Sequence, residues 1–135
     1  PQSGLKLAFF ENGTLAARRH LQGAEPMDPH MEWAFRRLVG ELVGRGIRVI
    51  LVRFPVTEEY ARETRRLGAD PVLRDALLAS VIRPGQVDHL DREGLYFDQP
   101  EMFGDGDHLN VIGKRRFSEQ LASDLRQMGL LVGPR

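Results

Sequence analysis

An acid stands three residues before a histidine in Phe103-Gly104-Asp105-Gly106-Asp107-His108-Leu109-Asn110-Val111-Ile112-Gly113. A carboxylate on one imidazole nitrogen fixes the ring's tautomer and stabilises its protonated form, leaving the second nitrogen to take a proton from a nucleophile. Asp105 and His108 are therefore the candidate catalytic pair, the half of a Ser-His-Asp triad that handles protons. The serine they would serve is not evident. Ser3 sits in Pro-Gln-Ser-Gly with no strand before it, Ser80 and Ser118 fall inside expected helices, and Ser123 lies on the final helix. None is assigned as nucleophile.

Other readings of the same residues stand beside this one. Aspartates in a glycine-rich segment make local turns, and a histidine among them can simply be solvated. Asp105, Asp107 and His108 also join oxygen and imidazole donors, which suit a divalent ion. Three ligands within four residues do not readily converge without others, and the calcium-loop pattern with its distal glutamate is missing. No metal and no cofactor is expected. His20, His30 and His89 have no fixed spacing to acids and read as surface residues. Asn12-Gly13 reads as a hairpin turn rather than an oxyanion donor, and Asn110 as a helix cap.

The elements that must position the pair follow from periodicity and punctuation. Leu5 to Phe10 reads as a strand that ends at Asn12-Gly13, and Leu15 to Met27 as an irregular connection. Asp28-Pro29 starts a helix, with Met31, Phe35, Leu38, Val39 and Leu42 as its apolar stripe. Gly44-Arg45-Gly46 ends it, and the β-branched run Ile47 to Phe54 reads as a buried parallel strand. Arg53, Pro55 and Thr57 then lie at the strand's carboxyl end, where α/β folds place ligands. Helices are expected over Glu58 to Leu67 and Pro71 to Val81, a turn at Pro84-Gly85, a short strand at Leu95-Tyr96-Phe97 and a loop from Asp98 to Asp107. Asn110 caps a last helix whose stripe is Phe117, Leu121, Leu125 and Met128, with Gly129 as its C-cap.

The length of 135 residues and a 41% hydrophobic content suit one domain with one modest core. With 19 basic and 19 acidic residues the formal charge is zero, which gives no general field toward nucleic acid or an acidic surface. Arg62, Arg65 and Arg66, like Lys114, Arg115 and Arg116, read as solvated helix faces. The chain has no cysteine, so disulfides, thiol catalysis and cysteine-held metals are excluded while the compartment stays open. No apolar run approaches the ~20 residues a membrane helix needs. The opening Pro1-Gln2-Ser3-Gly4 suggests a piece of something longer.

Phe103-x-Asp105-x-x-His108-Leu109-Asn110-x-x-Gly113, followed by a helix carrying Phe117, Leu121 and Leu125, resembles the last block of the SGNH (GDSL-type) hydrolase and O-acyltransferase superfamily. Gly46-x-x-Val49-Ile50-Leu51-Val52-x-x-Pro55-Val56 is similar to the strand that precedes this block in several branches, and together the similar regions cover about the last two thirds of the chain. The resemblance implies a three-layer α/β/α domain with a mostly parallel sheet, present here as its C-terminal part over residues 1–135. It implies serine acyl chemistry on an acyl ester or an acetylated carbohydrate, with His108 as general base and then acid, and Asp105 orienting it. The family's Gly-Asp-Ser block and its glycine and asparagine oxyanion blocks have no convincing counterpart here. The chain by itself is therefore expected to be inactive and to self-associate through open sheet and apolar surfaces. A non-catalytic binding or assembly module on the same scaffold is the alternative.

Overall fold

The computed structural model of the protein describes residues 13–21, 28–68 and 71–131. In chain order they form α1 (residues 13–21), α2 (Pro29–Gly44), β1 (Val49–Arg53), α3 (Glu58–Arg66), α4 (Pro71–Val81), β2 (Val87–Asp91), a 3₁₀ turn (Pro100–Met102) and α5 (Val111–Gln127). The expected strand Leu5 to Phe10 lies outside the described residues, as do Asn12 and Ser3. Gly13, expected in a turn, opens a helix, and the expected irregular segment is helical from Leu15 to residue 21. Leu15, Ala16, Ala17, Arg18 and Arg19 are all strong helix formers. Ala17 is fully buried. Gly13 passes so close to the start of α3 that a Cβ there would stand 2.9 Å from Thr57 Oγ1 and 3.0 Å from Glu59 Cβ.

Helix α2 begins as expected, with Pro29 in its first turn and the Asp28 carboxylate accepting from His30 N at 2.8 Å. Its buried face differs from the expected stripe. Val39 is buried and Phe35 and Val43 pack beside it, whereas Met31 and Leu38 stay 67% and 56% exposed. Apolar residues cover a wide arc of this helix, and the part that is buried is the part facing Val81 of α4 and Val49, Leu51 and Val87 of the strands. Helices α3 and α4 lie where they were expected.

The two strands pair in parallel, in register from Val49 opposite Val87 to Arg53 opposite Asp91. The described residues are thus mixed α/β around a small parallel sheet. Strand β1 is half-buried along its length rather than buried. The second strand was expected at Leu95-Tyr96-Phe97, which forms turns; the strand is Val87-Asp88-His89-Leu90-Asp91 instead. Its polar residues hide the strand pattern, yet Asp88 and Asp91 pair across the sheet with Arg48 at 2.9 Å and Arg53 at 3.5 Å.

Two apolar clusters hold these elements. Val49 and Leu51 pack with Val39, Val81 and Val87, while Val52 packs with Tyr96, Met102, Phe103, Leu109 and Phe117. Alternation along a strand sends residues 49 and 51 to one face and 52 to the other, so β1 serves both clusters. Helix α5 enters the second cluster through buried Phe117 and partly buried Leu121. Its approach requires Gly113, where a Cβ would stand 2.1 Å from the Met102 carbonyl oxygen. Met128 is its C-cap, and Gly129, expected there, follows with φ at 72°.

Candidate active site

The carboxyl end of β1 runs through Pro55 and Val56 to Thr57, which has two functions. Its hydroxyl oxygen accepts from Tyr60 N at 3.3 Å to cap α3. Its hydroxyl and its backbone N–H both donate to the Gly106 carbonyl, at 2.7 and 3.0 Å. The Asp105–His108 loop is thereby fastened beyond the carboxyl end of the strand. At its base the loop is closed by a bridge between Phe103 and Leu109, by Gly104 N donating to His108 O at 2.8 Å, and by Asn110 N donating to Met102 O at 2.9 Å.

Asn110 links this loop to α5. Its side-chain oxygen accepts from Ile112 N and Gly113 N at 2.9 and 3.0 Å, and its amide donates to the carbonyls of Glu101 and Phe103 at 2.7 and 3.1 Å. Beneath the site, the buried Glu93 accepts from Arg53 of β1 and from Arg65 of α3, the latter at 2.8 Å. Arg92 donates to the buried Asp124 of α5 at 2.8 Å. The segment after β2 is so pinned to β1, α3 and α5 together.

Within the loop the aspartate curls back on its own backbone. Asp105 Oδ1 accepts from Asp107 N at 3.2 Å and from His108 N at 2.8 Å. The same carboxylate faces the imidazole, with Oδ1 and Oδ2 at 3.0 and 3.2 Å from His108 Nδ1. A carboxylate only accepts, so this contact requires Nδ1–H and leaves Nε2 as the acceptor of the neutral ring. Nε2 makes no hydrogen bond among the described residues, and the His108 side chain is 70% exposed. A base with its proton-taking nitrogen open to an incoming hydroxyl has this form.

Charge favours the protonated ring. The hydrogen bond that Nδ1–H donates to Asp105, then the charges of Asp107 and Asp105, raise the His108 pKa above its ordinary value, against a smaller loss from desolvation and from Lys114. Desolvation pushes the Asp105 carboxyl upward, but the Asp107 amide, the His108 ring and amide, and the His108 charge together hold it below its ordinary value.

Among the described residues no serine hydrogen-bonds to this pair. Ser80 Oγ donates to Leu77 O at 2.6 Å and also meets Arg36, and Ser118 Oγ donates to Lys114 O at 2.9 Å. Donor atoms of Asp105, Asp107 and His108 gather within 4.8 Å of one another, but those of Asp105 are already engaged by two amides and the ring. Arg65 and Arg66 pair with Glu93 and Glu63, and Arg115 with Glu119, rather than forming a free basic face.

Two neighbours of the site had no signal in the sequence. His20, read as a surface residue, reaches from α1 to the Tyr60 hydroxyl at 3.1 Å and to Asp107 Oδ2 at 3.5 Å. Burial, and after it the Asp107 charge, raises the Tyr60 pKa above its ordinary value. A cleft of about 110 Å³ opens between the start of α3 and the 96–103 segment, lined among others by Thr57, Glu58, Tyr96, Phe97 and Phe103. Spacing along the chain carries no trace of either, because α1, α3 and the loop meet only through folding. No family model, no curated protein and no solved structure matches the chain.

Proposed function

We propose that Asp105 and His108 form the acid–base half of a serine acyl-transfer site, that of an esterase or a carbohydrate O-acetyltransferase, on the C-terminal part of a three-layer SGNH-like domain. The observation that carries this reading is the Asp105 carboxylate 3.0 Å from Nδ1 of a histidine whose Nε2 is open at the carboxyl end of β1. His108 takes the proton of a serine hydroxyl as that oxygen attacks an acyl carbon, then returns it to the departing oxygen. Asp105 holds the ring in the tautomer that makes this work. No Gly-Asp-Ser block stands among the 135 residues, so this reading expects no appreciable esterase activity from the chain alone.

The test is hydrolysis of p-nitrophenyl acetate by the longest gene product containing this chain. His108→Ala is expected to lower kcat at least ~10³-fold, as loss of a triad histidine does. Activity unchanged by that substitution would refute the assignment, and robust turnover by the 135-residue chain alone would refute its incompleteness.

A second reading, a non-catalytic binding or assembly module that self-associates, is favoured by one observation. Met31, Trp33 and Leu38 on α2 and Phe54 after β1 are large apolar side chains left more than half exposed. Among the described residues, no helix is long and apolar enough to cross a membrane, so a second protein surface is the cover this reading assigns.

A further inference from the structure

Asp107 stands between two histidines from different parts of the chain. Its Oδ1 lies 3.3 Å from His108 Nδ1 and its Oδ2 lies 3.5 Å from His20 Nδ1. His20 is on α1 and is held in turn by the Tyr60 hydroxyl of α3 at 3.1 Å, with the two rings edge-on at 6.0 Å. The Asp107 side chain is only 15% exposed, against 51% for Asp105. A carboxylate shielded from water acts more strongly on its neighbours than an open one at a similar distance.

We infer that Asp107 is a positioning residue for His108, and that the charge on His20 sets how strongly Asp107 acts. This rests on the reading of His108 as the group that moves protons. Asp105 makes the nearer contact to Nδ1 and fixes the tautomer; Asp107 adds a second negative charge beside the same nitrogen and favours the imidazolium. When His20 is protonated, its positive charge sits on the far oxygen of Asp107 and offsets that effect. His108 faces Asp105 and Asp107 on its own loop and Lys114 on α5, while His20 faces Tyr60 on α3 and Asp107. Tyr60 keeps its proton through the neutral range, so the variable charges around Asp107 are the two imidazoles.

The experiment is a pH titration of the imidazole resonances by long-range ¹H–¹⁵N spectra of the 135-residue chain. Asp107→Asn is expected to lower the proton affinity of His108 roughly two- to fivefold, the range for a partly exposed pair, with Nδ1–H retained. His20→Lys puts a permanent cation on Asp107 and is expected to lower it in the same direction. A His108 titration unmoved in either variant overturns the inference; if Asp107→Asn does not fold, His20→Lys at an exposed position decides alone. Neither titration depends on turnover. Titrations that move while ester hydrolysis survives loss of His108 would sink the functional reading and leave the role of Asp107 standing. Unmoved titrations with activity lost in His108→Ala would do the reverse.

Discussion

At the scale of single residues, the Asp105–His108 pair makes stability depend on pH in a definite window. The Asp105 pKa is lowered from 3.8, so its contribution is present above that value and is lost as pH falls through the lower folded value. The His108 pKa is raised from 6.5, so its contribution is complete below 6.5 and is lost as pH rises through the higher folded value. The two overlap between 3.8 and 6.5. His108→Gln should therefore lower the melting temperature most within that window, and the deficit should shrink toward both acid and alkaline pH. A deficit that does not vary with pH would show that the ion pair is not its source. The effect is small, because both groups are largely in contact with water. This pair was legible in the sequence because its two members are three residues apart, close enough for one turn to bring them together.

At the scale of elements, the site loop depends on how α5 and α1 are docked. Gly113 lets the first turn of α5 lie against the Met102 carbonyl, so Gly113→Ala forces backbone to shift at the base of the loop. Urea denaturation should show a loss of about 1–3 kcal/mol, the usual cost of overpacking. Asn110→Ala removes the cap of the same helix and should cost about 0.5–2 kcal/mol. A change below the error of the measurement for both would mean that this junction does not hold the fold. Helix α1 is tied by Arg18 to Glu63 of α3 at 2.9 Å, and Arg66 shares that carboxylate at 2.7 Å. The hydrogen bonds from Arg66 and then Arg18 lower the Glu63 pKa from 4.5 to about 2. Its contribution is present above 4.5 and fades only as pH falls through about 2. Glu63→Gln should thus melt earlier at neutral pH, with the difference from the parent persisting at pH 4 and closing only near the low folded value. That α1 exists at all was not legible, because the Asn12-Gly13 turn signal is local while the burial of Ala17 and the contact of Gly13 with α3 are not.

At the scale of the whole molecule, the described residues leave two strands and a helix flank with much open apolar surface. Trp33 is 60% exposed and Phe54 equally so. Contiguous exposed apolar residues and unpaired strand edges favour association. Light scattering across a concentration series should show a mass that rises above that of one chain, and Leu38→Lys together with Met31→Lys should shift the series toward the monomer. A single-chain mass at every concentration would rule this out.

Residue chemistry and short-range order were set by the sequence itself. The Asp-x-x-His spacing, the Asp28 and Asn110 caps, the β-branched strand and the helices over 58–66 and 71–81 depend on interactions within a few residues, and each is found where local pattern placed it. Tertiary structure decided the rest. It turned α2 so that Val43 rather than Leu38 met the core, made a strand of the polar run 87–91 by pairing its acids with Arg48 and Arg53, and brought His20 and Tyr60 to Asp107. Each of these depends on a partner far along the chain, whose position no local spacing encodes.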